Sequence, residues 1–278
     1  MTPELTIDKS WLRVEAGDVE LARYVFAPWD AQLESPRPYF HPLRTLAGDV
    51  VSLYRPHDHV WHKGIAWSLP NVGPANFWGG PTYLRGRGYE QLPNNGTTRH
   101  LSFDVVGADS VTESLEWVTE QGERWFTETR TLSFAVSAAA WSLGFTTEFT
   151  NVTDAPIVLG SPTTEGRENA GYGGLFWRGP RSFTGGRVSV PGRAGGDELM
   201  GVRAPWLAFR APDGRSTLLF TAESQVRWFV RSTPFAAVCP APFFDTEVTV
   251  APGETRTYRH AVHIADGDPD PESLVGLG

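Results

Sequence analysis

The chain has 278 residues, 40% of them hydrophobic, and a formal net charge of −8. That is enough apolar material for a sizeable core and excludes general disorder. The acidic balance, with no Lys/Arg-rich tract, excludes a general nucleic-acid binder, and the absence of any run of about 18 apolar residues argues against a membrane span.

Taken in chain order, period-two alternation dominates and amphipathic helical stretches are scarce. The N-terminal MTPELTIDKSWLRVEAGDVE lacks the basic start and apolar stretch of a signal peptide, so a cytoplasmic location is the expectation. Strands are expected at 19–26, 50–54, 100–106, 110–119, 123–134 and 140–151. Further strands are expected at 155–161, 187–190, 206–210, 217–222, 228–231, 243–250 and 255–264. Gly107, Gly122, Gly214 and Gly253 mark turns between them. So many short antiparallel strands imply an all-β fold of two stacked sheets, a large antiparallel β-sandwich, or a barrel. No repeat, low-complexity tract or linker divides the chain, so a single domain over 1–278 is expected, with 266–278 a flexible tail. The Pro/Gly-rich segments 70–96 and 160–186 exceed simple hairpin turns, and long loops in a compact β domain usually serve function. The single cysteine, Cys239, can form no internal disulfide and reads as a small buried apolar residue.

Polar chemistry concentrates in RPYFHPLRTLAGDVVSLYRPHDHVWHKG, residues 37–64. It offers His41, Arg44, Arg55, His57, Asp58, His59, His62 and Lys63 among the aromatics Tyr39, Phe40, Tyr54 and Trp61. Imidazoles beside carboxylates and cations exchange protons near neutral pH or bind a metal. On a strand, His57 and His59 would share a face with Asp58 opposite, and His62 would rejoin them after a turn. Two readings stay open here: metal-free acid–base chemistry, or a divalent metal on His57, His59 and His62 with a carboxylate such as Glu165. The plain alternative is a loop of solvated histidines.

A second cluster places Glu165, Arg167, Glu168 and Asn169 ahead of Gly171, Gly173 and Gly174, then Phe176, Trp177 and Arg178. If extended, Glu165 and Arg167 share a face and present an ion pair to a ligand; the alternative is a solvated surface loop. A third stretch, Asn76 to Tyr83, carries Trp78 in NFWGG. Eleven tryptophans is a high count, and Trp61, Trp67, Trp78 and Trp177 fall near the polar clusters. Indole faces stack on the C–H faces of pyranose rings, although any one tryptophan is as readily core.

At these residues the sequence resembles the bacterial PmoA-like family. RPYFHPLRTLAGDVVSLYRPHDHVWHKGIAW, NFWGG and GYGGLFWRGP carry the resemblance, which runs over roughly residues 20–265. The family pattern Asp-His-x-x-His-(Arg/Lys)-Gly falls on Asp58, His59, His62, Lys63 and Gly64, and Trp61 stands where many relatives have another histidine. ERWFTETRTLSF, WSLGFTTEFTNVTDAPIVLGSPT and the strand after APGETRTY are similar to galactose-mutarotase-like supersandwiches. That resemblance implies sugar chemistry in the cleft of a concave sheet, with histidines and a late carboxylate, for which Asp245 or Glu247 is the candidate.

Together these readings make the expected protein a carbohydrate-active enzyme that epimerises, mutarotates or eliminates on a sugar or glycoside, including an oxidised one. His59 and His62 serve as acid and base, or one of them does with Glu165. Arg44, Lys63, Arg167 and Arg178 hold hydroxyls or stabilise an oxyanion. His41, His57, Asp58, Trp78 and Trp177 are further substrate contacts. No cofactor is expected outside the metal alternative. The expected partner is a small-molecule carbohydrate, bound by a monomer or homodimer, without nucleic acid or membrane. The competing class is a non-catalytic sugar-binding protein.

Overall fold

Alternation of inward apolar and outward polar side chains builds two antiparallel sheets in the computed structural model, which describes residues 2–276. The first sheet runs through strands Glu4–Ile7, Trp11–Ala16, Val19–Val25, Tyr39–Leu43, Ile65–Val72, Gly174–Arg178 and Ala237–Ala241. The second runs through Thr97–Val106, Ser110–Val118, Arg124–Val136, Ala140–Asn151 and Thr255–Asp266, and ends beyond Arg203–Arg210 in Arg187–Val190 and Arg193–Gly195. One long strand, Ser216–Arg231, belongs to both. Its first half pairs with Thr255–Asp266, with Ala222 opposite His260, and its last residues pair with Ala237–Ala241, with Phe229 opposite Cys239.

The inner faces meet in an aromatic core. Trp67 of the first sheet packs on Phe145 and Tyr258 of the second, ring centroids 6.2 and 5.3 Å apart, and Trp177 packs on Phe209 at 5.2 Å and Phe220 at 5.7 Å. Each such pair contributes on the order of 1 kcal/mol beyond its area burial. A buried polar knot also crosses the layers. Arg130 donates to Tyr24 at 2.9 Å and to Glu128 at 2.8 Å, while Trp117 and Thr147 donate to Glu128 at 2.6 and 2.8 Å. The charges of Arg130 and Glu128 are thus paired and hydrogen-bonded, the condition under which burial is tolerable. The fold is all-β, a large antiparallel sandwich.

Several boundaries differ from the sequence pattern. Residues 50–54 form no strand; only isolated bridges, Arg44 with Val50 and Tyr54 with Lys63, tie them down. The segments 217–222 and 228–231 are one strand, and 243–250 shrinks to Val248–Val250. The two long segments are partly structured: 70–96 holds Ala75–Phe77 and the hairpin Thr82–Leu84/Gly88–Glu90, and 160–186 holds Gly174–Arg178. Within the expected loose tail, helix Pro271–Val275 is capped by Asp270, and its Leu274 is buried against Trp206, Ala208 and Leu219. No helix among the described residues is long and apolar enough to cross a membrane.

Candidate functional site

The histidine segment is built of consecutive turns rather than a strand. His59 N–H donates to Pro56 C=O at 3.0 Å, His62 N–H to His59 C=O at 3.0 Å, and Arg55 N–H to His62 C=O at 2.9 Å. The turn spacing of three brings the His59 and His62 rings together, centroids 4.6 Å apart and 12° from parallel. His57 is left outside this pair. A buried guanidinium anchors the loop: Arg37 donates to Trp61 C=O at 2.7 Å and to Ser68 Oγ at 2.6 Å. Lys63 is a second anchor. Its ammonium is buried, 2.9 Å from Asp30, and also paired with Glu34, which Arg55 holds at 2.6 Å.

Beneath the rings lies the outer face of the first sheet. In Gly174–Arg178, Leu175 and Trp177 point into the sandwich core, while Phe176 and Arg178 point outward. Beyond the intervening strand Ala237–Ala241, in Ser216–Arg231, Phe229 and Arg231 share that outer face, whereas Trp228 and Val230 join the core. Loops supply the walls. Trp78 meets His62 edge-on at 5.7 Å, and Tyr172 meets Trp78 at 4.5 Å. The Trp61 indole lies against Gly79 and Gly80, whose φ angles are +100° and +68°; a Cβ on Gly80 would sit 2.7 Å from that ring. The glycine pair of NFWGG thus gives Trp61 its place.

The result is a cavity of about 420 Å³ whose lining includes His59, His62, Trp61, Trp78, Tyr172, Phe176, Phe229 and Phe235, with Arg167 and Arg231 as its charged members. A second cavity, also about 420 Å³, lies beyond Phe235 and is lined by His57, Asp58, Arg178, Arg181 and Thr184 among others.

Arg178 sets the electrostatics of the imidazole pair. Its guanidinium lies 3.7 Å from the Phe235 ring centroid, donates to Asp58 at 2.9 Å, and donates to Nδ1 of His62 at 3.1 Å. An arginine only donates, so Nδ1 of His62 carries a lone pair and Nε2 carries the proton. His59 has the opposite arrangement. Its Nδ1 lies 3.0 Å from the Asp58 carboxylate, which only accepts, so a neutral His59 has its lone pair on Nε2. Burial, then the neighbouring His59, Arg178 and Arg37, pushes the His62 pKa well below the ordinary imidazole value and keeps the ring neutral near neutral pH. Partial burial raises the Asp58 carboxyl, but hydrogen bonds from Arg178 and His59 outweigh it and hold the pKa at about 2. Two stacked imidazoles in one cavity therefore present opposite functions, a proton acceptor at His59 and a fixed N–H donor at His62.

The other residues singled out by sequence fall elsewhere. Glu165 does not line the cavity, and its carboxylate lies 3.9 Å from Arg85, so it forms no pair with Arg167. Trp177 is fully buried, donating to Val51 C=O at 2.8 Å, because strand alternation turns it to the core. Lys63 is consumed by its two carboxylates. His41 bonds Ser52 at 2.9 Å, with its pKa pushed down to about 4 by burial, and the Arg44 side chain reaches Gly48 C=O at 3.4 Å. His57 pairs with Arg181 at 2.9 Å and faces the second cavity. Asp245 pairs with Arg227 at 2.7 Å, and neither it nor Glu247 lines the imidazole cavity. Cys239 lies under the site, its thiol pushed up to about 12 by burial, which leaves it an inert filler.

The metal alternative does not fit these positions. Nδ1 of His57, His59 and His62 is engaged by Arg181, Asp58 and Arg178 respectively, and two of those partners are cations. Among the described residues, no three His, Cys, Asp or Glu side chains group as metal ligands. Sequence reading also missed Tyr89, Tyr172, Phe229, Arg231 and Phe235, which line the cavity from distant segments. The one signal for the last two was the proline-bearing turn RSTPF between two apolar runs.

A family model described as a family of unknown function, DUF6807, matches residues 12–277; that description does not carry the PmoA-like label. No curated protein matches the sequence. Among solved structures, the GH36 alpha-galactosidase AgaB from Geobacillus stearothermophilus is similar at 12% identity and a TM-score of 0.50, over 98% of this chain and 42% of that one. A variant of AgaA from the same organism, in complex with raffinose, is similar at 11% identity and a TM-score of 0.50, over 95% of this chain and 41% of that one. The chain thus spans less than half of those enzymes, and the likeness is one of fold. A galactose mutarotase-like protein from Lactobacillus casei ATCC 334 has 12% identity and a TM-score of 0.43, with 94% of this chain and 99% of that one covered.

Proposed function

We propose that this chain, which belongs to the DUF6807 family, is a carbohydrate-active enzyme that moves a proton at a carbon beside a sugar carbonyl. The carrying observation is the split pair of imidazoles organised by one arginine. Titratable groups whose surroundings drive them toward opposite roles are the mark of an acid–base pair. The sugar class rests on the cavity: its size is that of a small-ligand site, and its walls are indole, phenol and phenyl faces of the kind that stack on pyranose rings. The matched fold, found in alpha-galactosidases, agrees with that class.

The His59 Nε2 lone pair takes the proton from the carbon next to the carbonyl. The C–H electron pair becomes the enolate double bond, and negative charge collects on the carbonyl oxygen. His62 Nε2–H hydrogen-bonds that oxygen, strengthened by the Arg178 donor on its other nitrogen. Asp58 stabilises the imidazolium formed at His59. If the enolate turns its other face to His59, return of the proton from the His59 imidazolium gives an epimer; if that imidazolium instead protonates an oxygen substituent at the next carbon as its C–O bond breaks, the result is elimination. Ring opening at an anomeric centre fits less well, because it asks His62 to surrender a proton fully, and a neutral imidazole is a weak acid.

The experiment is proton exchange in deuterated water, followed by NMR, with a panel of free, linked and 3-oxidised sugars. Deuterium is expected at the carbon beside the carbonyl, and His59→Ala lowers the rate by about 10²–10⁴-fold while leaving the melting temperature near wild type. Tight sugar binding with no exchange over hours at high protein concentration would instead identify a non-catalytic sugar-binding protein.

A further inference from the structure

We propose that the arginine-bearing wall of the imidazole cavity receives the carboxylate of an acidic sugar, with Arg167 as its main contact and Arg231 as its second. The proposal rests on reading this cavity as the sugar site, but not on the proton transfer.

The argument starts from charge. The lining includes two guanidiniums and no carboxylate, in a protein whose overall charge is −8. Arg167 has no carboxylate partner among the described residues. Its Nη1 donates to the Tyr89 hydroxyl and its Cζ lies 4.8 Å from the Tyr89 ring centroid. The acid nearest in sequence, Glu165, is turned to Arg85. Arg231 is only loosely paired, 3.7 Å from Asp197, and otherwise reaches Asn169 C=O at 3.4 Å. Both guanidiniums are part-exposed rather than buried, so they stay solvated in the free protein and are open to donate charge-assisted hydrogen bonds to an incoming anion.

Position adds to this. Tyr89 and Tyr172 share a hydroxyl contact of 2.7 Å, and Tyr172 stacks on Trp78, which meets His62. A series of contacts thus runs along the wall from Arg167 through Tyr89, Tyr172 and Trp78 to His62, and the proposal places the anionic group at its guanidinium end, as a handle. Burial raises the Tyr172 pKa, which keeps its hydroxyl protonated near neutral pH. One unpaired and one partly paired guanidinium balance a monoanion, and the apolar walls penalise a dianion more heavily. A carboxylate is favoured over a phosphate on that ground.

The test is calorimetric titration with D-glucuronate, D-galacturonate, glucose 6-phosphate, D-glucose and D-galactose at low and high salt. The expected result is that a uronate binds at least about tenfold more tightly than its neutral parent, with the margin shrinking in salt. Arg167→Gln reduces the margin to within about twofold, the uronate losing more affinity than its neutral parent, whereas Arg167→Lys retains part of the margin. The preference persists in His59→Ala, which separates this proposal from the proton-transfer reading. The proposal is overturned if no uronate binds at tens of millimolar, if uronates show no preference over neutral parents, if glucose 6-phosphate binds more tightly than both uronates, or if Arg167→Gln weakens acidic and neutral sugars alike.

Discussion

The Nδ1 atom of His62 accepts from a guanidinium that never releases its proton, while Nδ1 of His59 donates to a carboxylate. This predicts different ring tautomers for neighbouring histidines, readable by ¹⁵N NMR: protonated Nε2 on His62 near neutral pH and protonated Nδ1 on neutral His59. Identical tautomers would remove the basis for assigning the two roles. Arg178→Met frees Nδ1 of His62, so the expected outcome is a kcat loss of about 10²–10³-fold with little change in KM, together with a rise of the His62 pKa toward its ordinary value. At this scale the sequence was partly legible. The DHVWH spacing pointed to His59 and His62 because chemistry-rich residues stand out in a β chain. What it hid was direction: whether Trp177 or Arg178 faces the site depends on the phase of a five-residue strand, and nothing local fixes that phase.

The same limit operates on elements. Long two-faced strands such as Ala140–Asn151 were legible to the residue, because one solvent-exposed face leaves a clean alternation. Gly174–Arg178, which bears Phe176 and Arg178, and its neighbour Ile65–Val72 were not, because both of their faces are covered and the alternation disappears. The segment 56–62 allowed a strand or a loop reading for a related reason: histidines at alternate positions imitate a sheet pattern that the turns at Pro56 and His59 override. The loop holding Trp61 offers an element-scale test. Gly80→Ala forces an unfavourable φ, costing on the order of 1–2 kcal/mol, and drives a methyl group at the Trp61 ring. The expected outcome is a lower melting temperature and weaker sugar binding, with Trp61 fluorescence altered; an unchanged protein would show that the wall does not depend on this packing.

Across the whole molecule, burial leaves His41, His260 and His263 each with a pKa pushed down to about 4 from an ordinary 6.5. Their unfolded forms therefore bind protons first as pH falls. Stability is full above about pH 6.5 and is lost progressively toward pH 4, below which the folded rings protonate as well. Denaturant midpoints are expected to fall between pH 7 and 4.5, and to fall less in His263→Phe; a flat profile would contradict the buried neutral rings. The shared strand Ser216–Arg231 has a further consequence, for biosynthesis. Strand Ala140–Asn151 gains its second neighbour only when Thr255–Asp266 is made, and Gly174–Arg178 gains its own only with Ala237–Ala241. A nascent chain leaving the ribosome thus carries open edges on these two strands until Ala237–Ala241 and Thr255–Asp266 emerge. Products truncated before Ala237 should be the most aggregation-prone, and those reaching Ala241 but not Thr255 should still expose the edge of Ala140–Asn151.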